Sequence, residues 1–400
     1  MASLPIPRRY RTVVYLPSRH DGCMLEVCLS IPTHVSSQPQ TNTGVVIAHP
    51  YGPLGGSYNN NVVGAMVQWF ETYPLQATAD DIASTSSTSP ITQQQSSSAS
   101  TAEDAVESTA AVTDAPEKSR DHSKSRPTPL ACVICAFNFR GCGKSKGKTS
   151  WTGEAEREDY QTVVDFLQSG SHAGSSHLEN MEGLRDSGTS TPAPVWGGKV
   201  FDEMGQEIAV PRLPFMSRFI LSGYSYGGMI ASTIPPPLRN PANPNSGHLP
   251  TSYVLISYPA GVAWFLTAGT QGSLYKRARA ILLGEETSSP STRTTTTIDQ
   301  NSVGALRTGR RRNVEAYFIT GSQDQFTSSG TLMSWLKTNA GLNPSKSSSE
   351  LTKSWALKRP DGAIHLDVVD KVDHFWLDRE QELLDRLRSW WTEAHPTSAI

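Results

Sequence analysis

The chain has 400 residues and a net charge of −2, so it lacks the basic excess expected of a nucleic-acid binder. Only 37% of its residues are hydrophobic, against roughly 45–50% apolar, glycine included, in an ordinary globular chain. No apolar run reaches the roughly 18 residues a membrane-spanning helix needs, and the opening MASLPIPRRYRTVVYLPS lacks the apolar core of a secretory signal, so a reducing, cytoplasmic location is expected.

Residues 12–16 and 25–31 open the chain as extended segments, the second with Leu25, Val27, Leu29 and Ile31 in alternation, as in a half-buried strand. Residues 44–48 (GVVIA) form a short continuous apolar run, which suits a central parallel strand covered on both faces. A Gly/Pro-rich loop follows at 49–57, and the asparagines 59–61 are placed to cap a helix whose stripe is Val62, Val63, Met66, Val67 and Phe70. Residues 77–129 are polar, repetitive and free of aromatics, so they cannot bury enough apolar surface to offset the entropy of ordering. The next strand spans 131–139, followed by a loop and a helix at 154–167 with Tyr160, Val163, Val164 and Leu167 inward. Cys132 and Cys135 lie three apart in that strand and so point to opposite faces. A shared metal or disulfide is therefore not expected of them, and the remaining cysteines, Cys23, Cys28 and Cys142, suggest no disulfide framework.

A second polar insertion covers 169–213. Strand 219–223 then runs into a short helix at 226–234, stopped by Pro235–Pro237. Strand 253–257 leads to segment 260–283, where Trp264, Phe265, Leu266 and Tyr275 serve either a pocket or core packing. Residues 284–312 form a third polar insertion ending in the basic run Arg310–Arg312, read as a solvated loop. Strand 314–320, a helix at 330–337, strand 364–369 and a helix at 376–391 complete the chain.

Two strands followed by strand–helix alternation imply an α/β fold: a mostly parallel sheet with helices on both faces. The core is expected at about 10–76, 130–168, 214–283 and 313–392 as one domain, interrupted by a disordered insertion at 77–129 and polar ones at 169–213 and 284–312. In such sheets chemistry sits in the loops beyond the carboxyl ends of the strands.

G-x-S-x-G occurs twice, around Ser145 and around Ser225. A nucleophile elbow needs a strand directly before the serine and a helix directly after it. FILSG leads into Ser225 and YGGMIA leads away, whereas Ser145 is followed by the polar KGKTS. Ser225 is therefore the candidate nucleophile. Gly143-Lys144-Ser145 is not the end of a phosphate-cradling P-loop, because Asn138 stands where that pattern requires glycine.

Four blocks resemble a group of small α/β-hydrolases. They are Ala48-His49-Pro50-Tyr51-Gly52-Pro53-Leu54-Gly55-Gly56, Asn138-Phe139-Arg140-Gly141-Cys142-Gly143-Lys144-Ser145, Leu221–Gly228 and Asp373-His374-Phe375. The resemblance implies the α/β-hydrolase fold. The chain departs from the group in its three long insertions and in Tyr51-Gly52, where His-Pro is usual.

A serine hydroxyl needs an adjacent base, the base needs a carboxylate to fix its tautomer, and in this fold the order is Ser, then acid, then His. After Ser225, strand 314–320 runs into Asp324 and strand 364–369 into His374. His365 lies at the wrong end of its strand, His395 in the C-terminal tail, Asp373 is read as a cap, and Asp378 as a charge favouring the last helix's N-terminus. The oxyanion donors are expected to be the backbone N–H of Tyr226 and that of Tyr51, with Gly52 the alternative to Tyr51, while His49 supports the loop. The function expected is a serine hydrolase cleaving an ester, thioester or amide bond of a small acyl substrate through an acyl-enzyme, most readily a carboxylic ester, with no metal or organic cofactor. A non-catalytic binding or scaffold protein of the same fold is the alternative.

Overall fold

A computed structural model describes residues 9–33, 42–72, 75–76, 129–130, 132–170, 198–209, 211, 213–214, 216–240, 243, 246–285, 314–342, 353–359 and 362–394. The first insertion up to residue 128, the third beyond residue 285, the basic run 310–312 and His395 lie outside them.

In chain order the elements are β1 (Arg9–Pro17), β2 (Met24–Pro32), β3 (Asn42–Ala48), α1 (Asn61–Thr72), β4 (Leu75–Gln76), β5 (Pro129–Leu130), β6 (Cys132–Phe137), α2 (Glu154–Gly170), β7 (Val200–Phe201) and β8 (Glu207–Ile208). There follow β9 (Met216–Tyr224), α3 (Tyr226–Ala231), β10 (Thr251–Ile256), α4 (Ala263–Leu266), α5 (Gln271–Leu282), β11 (Val314–Gly321), α6 (Ser329–Ala340), β12 (Lys353–Arg359), β13 (Gly362–Val369) and α7 (Glu380–Ala394). Among the described residues one sheet of 11 strands carries the order β12-β13-β11-β10-β9-β3-β6-β2-β1-β7-β8.

That sheet corrects the expectation of a mostly parallel one: it is mixed. The central strands from β13 to β6 pair in parallel, but β2, β1, β7 and β8 continue it antiparallel on one side and β12 does so on the other. Connection length accounts for the three hairpin pairs among these, though not for β2–β6 or β1–β7, whose strands lie far apart in the chain. A parallel neighbour needs a crossover of a dozen or more residues, and β1–β2, β7–β8 and β12–β13 are joined by short links. β12 escapes the sequence pattern because KSWALKR mixes charge with its inward Trp355 and Leu357. The hairpin β7–β8 lies within the second polar insertion and pairs onto the outer edge of β1.

The parallel strands are buried end to end, as continuous apolar runs require. Alternate residues feed two cores. Val46, Ala48, Tyr253, Leu255 and Phe318 face the one built with α2, α3, α5 and α6. Val45, Ile47, Val254, Ile256 and Ile319 face the one built with α1 and α7. Helices thus cover both faces. Cys132 and Cys135 divide between the two cores, and both thiols are free. Asn60 caps α1, its Oδ1 accepting from the Val62 N–H at 3.0 Å. β2 is buried on more than one face, because its polar residues find partners there. Glu26 accepts from the Tyr58 hydroxyl at 2.9 Å and the Asn138 amide at 2.7 Å, and Ser30 donates to Glu71 at 2.6 Å.

The last helix starts later than its apolar stripe suggests. Trp376 precedes it, fully buried in a left-handed turn at φ 57°, and Asp378 sits there too at φ 58°. Asp378 is thus outside the helix, and Glu380 and Glu382 are the acids of its first turn.

Candidate active site

The parallel strands β3, β6, β9, β11 and β13 discharge their loops on one edge of the sheet, and the candidate residues gather there. β9 ends at Tyr224, α3 begins at Tyr226, and Ser225 between them has φ 55° and ψ −120°. A non-glycine residue at positive φ is held there only by its surroundings. Its N–H donates to the Ile256 carbonyl at 2.8 Å, and its carbonyl accepts from Gly228 and Met229 at 2.9 and 3.1 Å. The flanking glycines make this turn possible. A Cβ on Gly227 would lie 2.5 Å from the His49 carbonyl oxygen, and one on Gly223 would run into the Gly227 backbone.

His374 lies past β13 and Asp324 past β11. His374 Nε2 is 3.0 Å from Ser225 Oγ, and its Nδ1 is 2.8 Å from Asp324 Oδ2. All three side chains are buried, Ser225 being 6% exposed. Asp324 is fixed by four donors. Oδ1 accepts the N–H groups of Phe326 and Thr327, both at 2.9 Å, while Oδ2 accepts the Thr320 hydroxyl at 3.3 Å besides the imidazole. The histidine loop is braced as well: the Tyr224 hydroxyl donates to the His374 carbonyl at 2.7 Å, and Trp376 Nε1 donates to Ser257 Oγ at 2.9 Å. Asp373 turns away and caps the loop, accepting from the Phe375 and Trp376 N–H groups at 2.9 and 3.1 Å. His365 is buried within β13, where burial lowers its pKa, and it has no part in this cluster.

Tyr51 and Tyr226 are neighbours, their rings edge to face at 5.1 Å. Tyr226 is the first residue of α3, where backbone N–H groups have no partner within the helix. Tyr51 precedes a short 3-10 turn, Gly52–Leu54. His49 is the bracket of that loop. Its Nδ1 donates to the Pro50 carbonyl at 2.5 Å, and its Nε2 accepts the Phe139 N–H at 3.0 Å. Burial holds its pKa down at about 4, so the ring is neutral and tautomerically fixed. Gly52 backs onto Cys142 so closely that a Cβ would meet its Sγ.

Ser145 has structural partners only: its hydroxyl donates to the Asn138 carbonyl at 2.7 Å and accepts the Glu26 N–H at 2.8 Å. The loop that contains it is tied down by polar residues that the sequence alone did not single out. Arg140 pairs with Asp159 at 2.6 Å and with Asp21 at 2.9 Å, and Asp159 also accepts from the Ser18 hydroxyl at 2.6 Å. The one available signal was an acid, Asp159, beside the apolar stripe of α2. Among the described residues no group of His, Cys, Asp and Glu side chains could hold a metal ion, and no helix is long and apolar enough to cross a membrane.

No protein-family model and no curated protein sequence matches the chain. Solved structures do resemble it. An α/β serine hydrolase without a lid from Xanthomonas campestris is 14% identical with a TM-score of 0.44, covering 99% of this chain and 100% of that one. An α/β serine hydrolase homologue from Coxiella burnetii is 15% identical with a TM-score of 0.41, covering 94% and 95%. An esterase from Pyrococcus furiosus is 10% identical with a TM-score of 0.43, covering 97% and 94%. By its own strand order and its strand–serine–helix turn, the chain has the α/β-hydrolase fold.

Proposed function

We propose that the protein is a serine hydrolase that cleaves an ester, thioester or amide bond of an acyl substrate, most readily a carboxylic ester. The observation that carries this is the unbroken hydrogen-bonded chain from Asp324 through His374 to Ser225, with the serine on a strained turn between strand and helix. Such a turn lifts a serine out of its sheet. Ser225 Oγ attacks the carbonyl while His374 Nε2 takes its proton, and Asp324 holds the proton on Nδ1 and stabilises the imidazolium. The N–H groups of Tyr226 and Tyr51 receive the oxyanion; removing one such donor typically costs about 2.7–4 kcal/mol. His374 then protonates the leaving group, and a water attacks the acyl-enzyme with His374 as base again.

The test is acyl trapping. Brief incubation with an activated acetate ester, acid quenching and peptide mass analysis are expected to show one acetyl group on Ser225. Turnover of that ester with the acyl group on another residue, or undiminished turnover by Ser225→Ala, contradicts the proposal.

A further inference from the structure

The largest exposed apolar side chains are not spread evenly over the surface. Among the described residues six of the nine, Leu54, Trp151, Trp264, Phe265, Phe375 and Leu377, stand on segments that follow the carboxyl ends of the parallel strands, while Tyr10 and Val13 lie on β1 and Met204 on the β7–β8 hairpin. Those carboxyl ends mark the edge where Ser225 and His374 lie. Trp264 is 61% exposed and Phe265 54%. They were candidates for pocket or core, but their side chains stand largely in solvent.

The patch is continuous with the candidate site. The Phe326 ring is edge to face with the His374 imidazole at 4.5 Å, Phe375 is 5.7 Å from the same imidazole, and the two phenyl rings are 6.0 Å apart. The loop before α4 seats directly on this wall: the Gly261 N–H donates to the Thr327 hydroxyl at 3.0 Å, and a Cβ on Gly261 would stand 2.5 Å from the Phe326 carbonyl oxygen. Helix α4, which begins two residues on, carries Trp264 and Phe265. The three surrounding loops, 49–60, 257–270 and 321–328, carry only His49 and Asp324 as titratable acids or bases besides tyrosine. His49 and Asp324 are both buried. These three loops therefore offer a substrate no exposed charged side chain; the nearby charges, among them Lys371, Asp373 and Asp378, belong to loop 370–379, where Asp373 is engaged by the Phe375 and Trp376 N–H groups.

Resting on the proposed hydrolase reading, we infer that Phe326 and Phe375 form the wall of a subsite for an uncharged apolar chain of the substrate, continued outward by Trp264 and Phe265. An apolar chain laid across exposed rings removes apolar area on both partners from water. A charged chain would lose hydration against these rings without compensation from them. The substrate class is thus esters with an extended aliphatic or aromatic group rather than acetylated polar molecules.

The test compares rates of covalent labelling of Ser225 by two fluorophosphonates, one bearing an ethyl and one a decyl chain, so that hydrolytic turnover is not needed. Each methylene buried is worth about fourfold, so the wild type is expected to react at least roughly tenfold faster with the decyl probe. Phe375→Ala and Phe375→Lys, at a partly exposed position where folding is little at risk, are expected to bring the decyl-to-ethyl ratio towards one, with Phe326→Ala acting alike. Met204→Ala, on the hairpin at the far edge of the sheet and 81% exposed, keeps the wild-type ratio. A wild-type ratio near one, or an unchanged ratio in the Phe375 variants, overturns the subsite. Absence of labelling by either probe in folded wild type is a distinct result that removes the hydrolase reading and this inference with it.

Discussion

Replacing Asp324 with asparagine changes one atom and should change the tautomer of His374. In the wild type Oδ1 receives two backbone N–H groups, from Phe326 and Thr327, and Oδ2 receives His374 Nδ1–H. The asparagine amide has one oxygen and one NH₂ to fill those places. Turning the NH₂ toward the two backbone donors would leave both of them unsatisfied in a buried site, about 1–3 kcal/mol each. The oxygen therefore stays with Phe326 and Thr327, and the NH₂ faces His374 Nδ1, where Thr320 Oγ1 can accept from it as well. Nδ1 must then accept, so the proton moves to Nε2. That nitrogen lies 3.0 Å from Ser225 Oγ and can no longer take the serine proton. A wrong-tautomer defect of this kind costs about 10⁴-fold in turnover where it has been measured in an unrelated serine hydrolase framework. Ester turnover gives the rate, and ¹⁵N imidazole shifts give the tautomer. Asp324→Asn retaining activity within about tenfold of wild type, or keeping the proton on Nδ1, would refute this chain of reasoning.

Three further outcomes follow from the same packing. His49 has its folded pKa depressed from 6.5 to about 4 by burial, so the unfolded chain binds the extra proton first and stability falls as pH drops through that window. His49→Gln is expected to lack this increment, about 3 kcal/mol, when urea unfolding is compared at neutral pH and near pH 4. Because Asp165, held up at about 6 by burial, works in the opposite sense, losing stability as pH rises between its two pKa values, the comparison is between variant and wild type. An identical acid limb in both refutes the assignment. Arg140→Met leaves Asp159, which is 0% exposed, without its cation, and should lower unfolding stability by roughly 3–5 kcal/mol; a loss below about 1 kcal/mol would mean that the pair is solvated. Gly227→Ala forces a Cβ against the His49 and Ala48 carbonyls at 2.5 and 2.6 Å, and should abolish Ser225 labelling while Gly64→Ala, in open space on α1, leaves it intact.

The site was legible where a polar residue ends an apolar run. The candidates Ser225 and Asp324 follow strands with runs of hydrophobic residues and His374 follows one interrupted by His365 and Asp367, and strand order brings their loops to one edge. Less was legible where burial is polar. Arg140 stood in a recognised block but its partners Asp159 and Ser18 carried no pattern that marks burial, since charged and polar residues are mostly exposed; here they bind the loop after β6 to the end of β1 and to α2. Trp376 matched the apolar stripe of the last helix, and nothing in its identity announced a left-handed turn or a bond to Ser257. β12 and the hairpin β7–β8 were missed for a related reason: edge strands bury little, so their sequences are free to carry charge. Those strands, together with the antiparallel β1 and β2, make the sheet mixed.

The most direct measurement is labelling by an untargeted fluorophosphonate of the wild type, Ser225→Ala and His374→Ala, each first shown to be folded by its unfolding transition. The account predicts one label on wild-type Ser225, none on Ser225→Ala, and a rate on His374→Ala lower by several orders of magnitude. Labelling of the wild type that persists in Ser225→Ala, or that proceeds at the wild-type rate without His374, would contradict it.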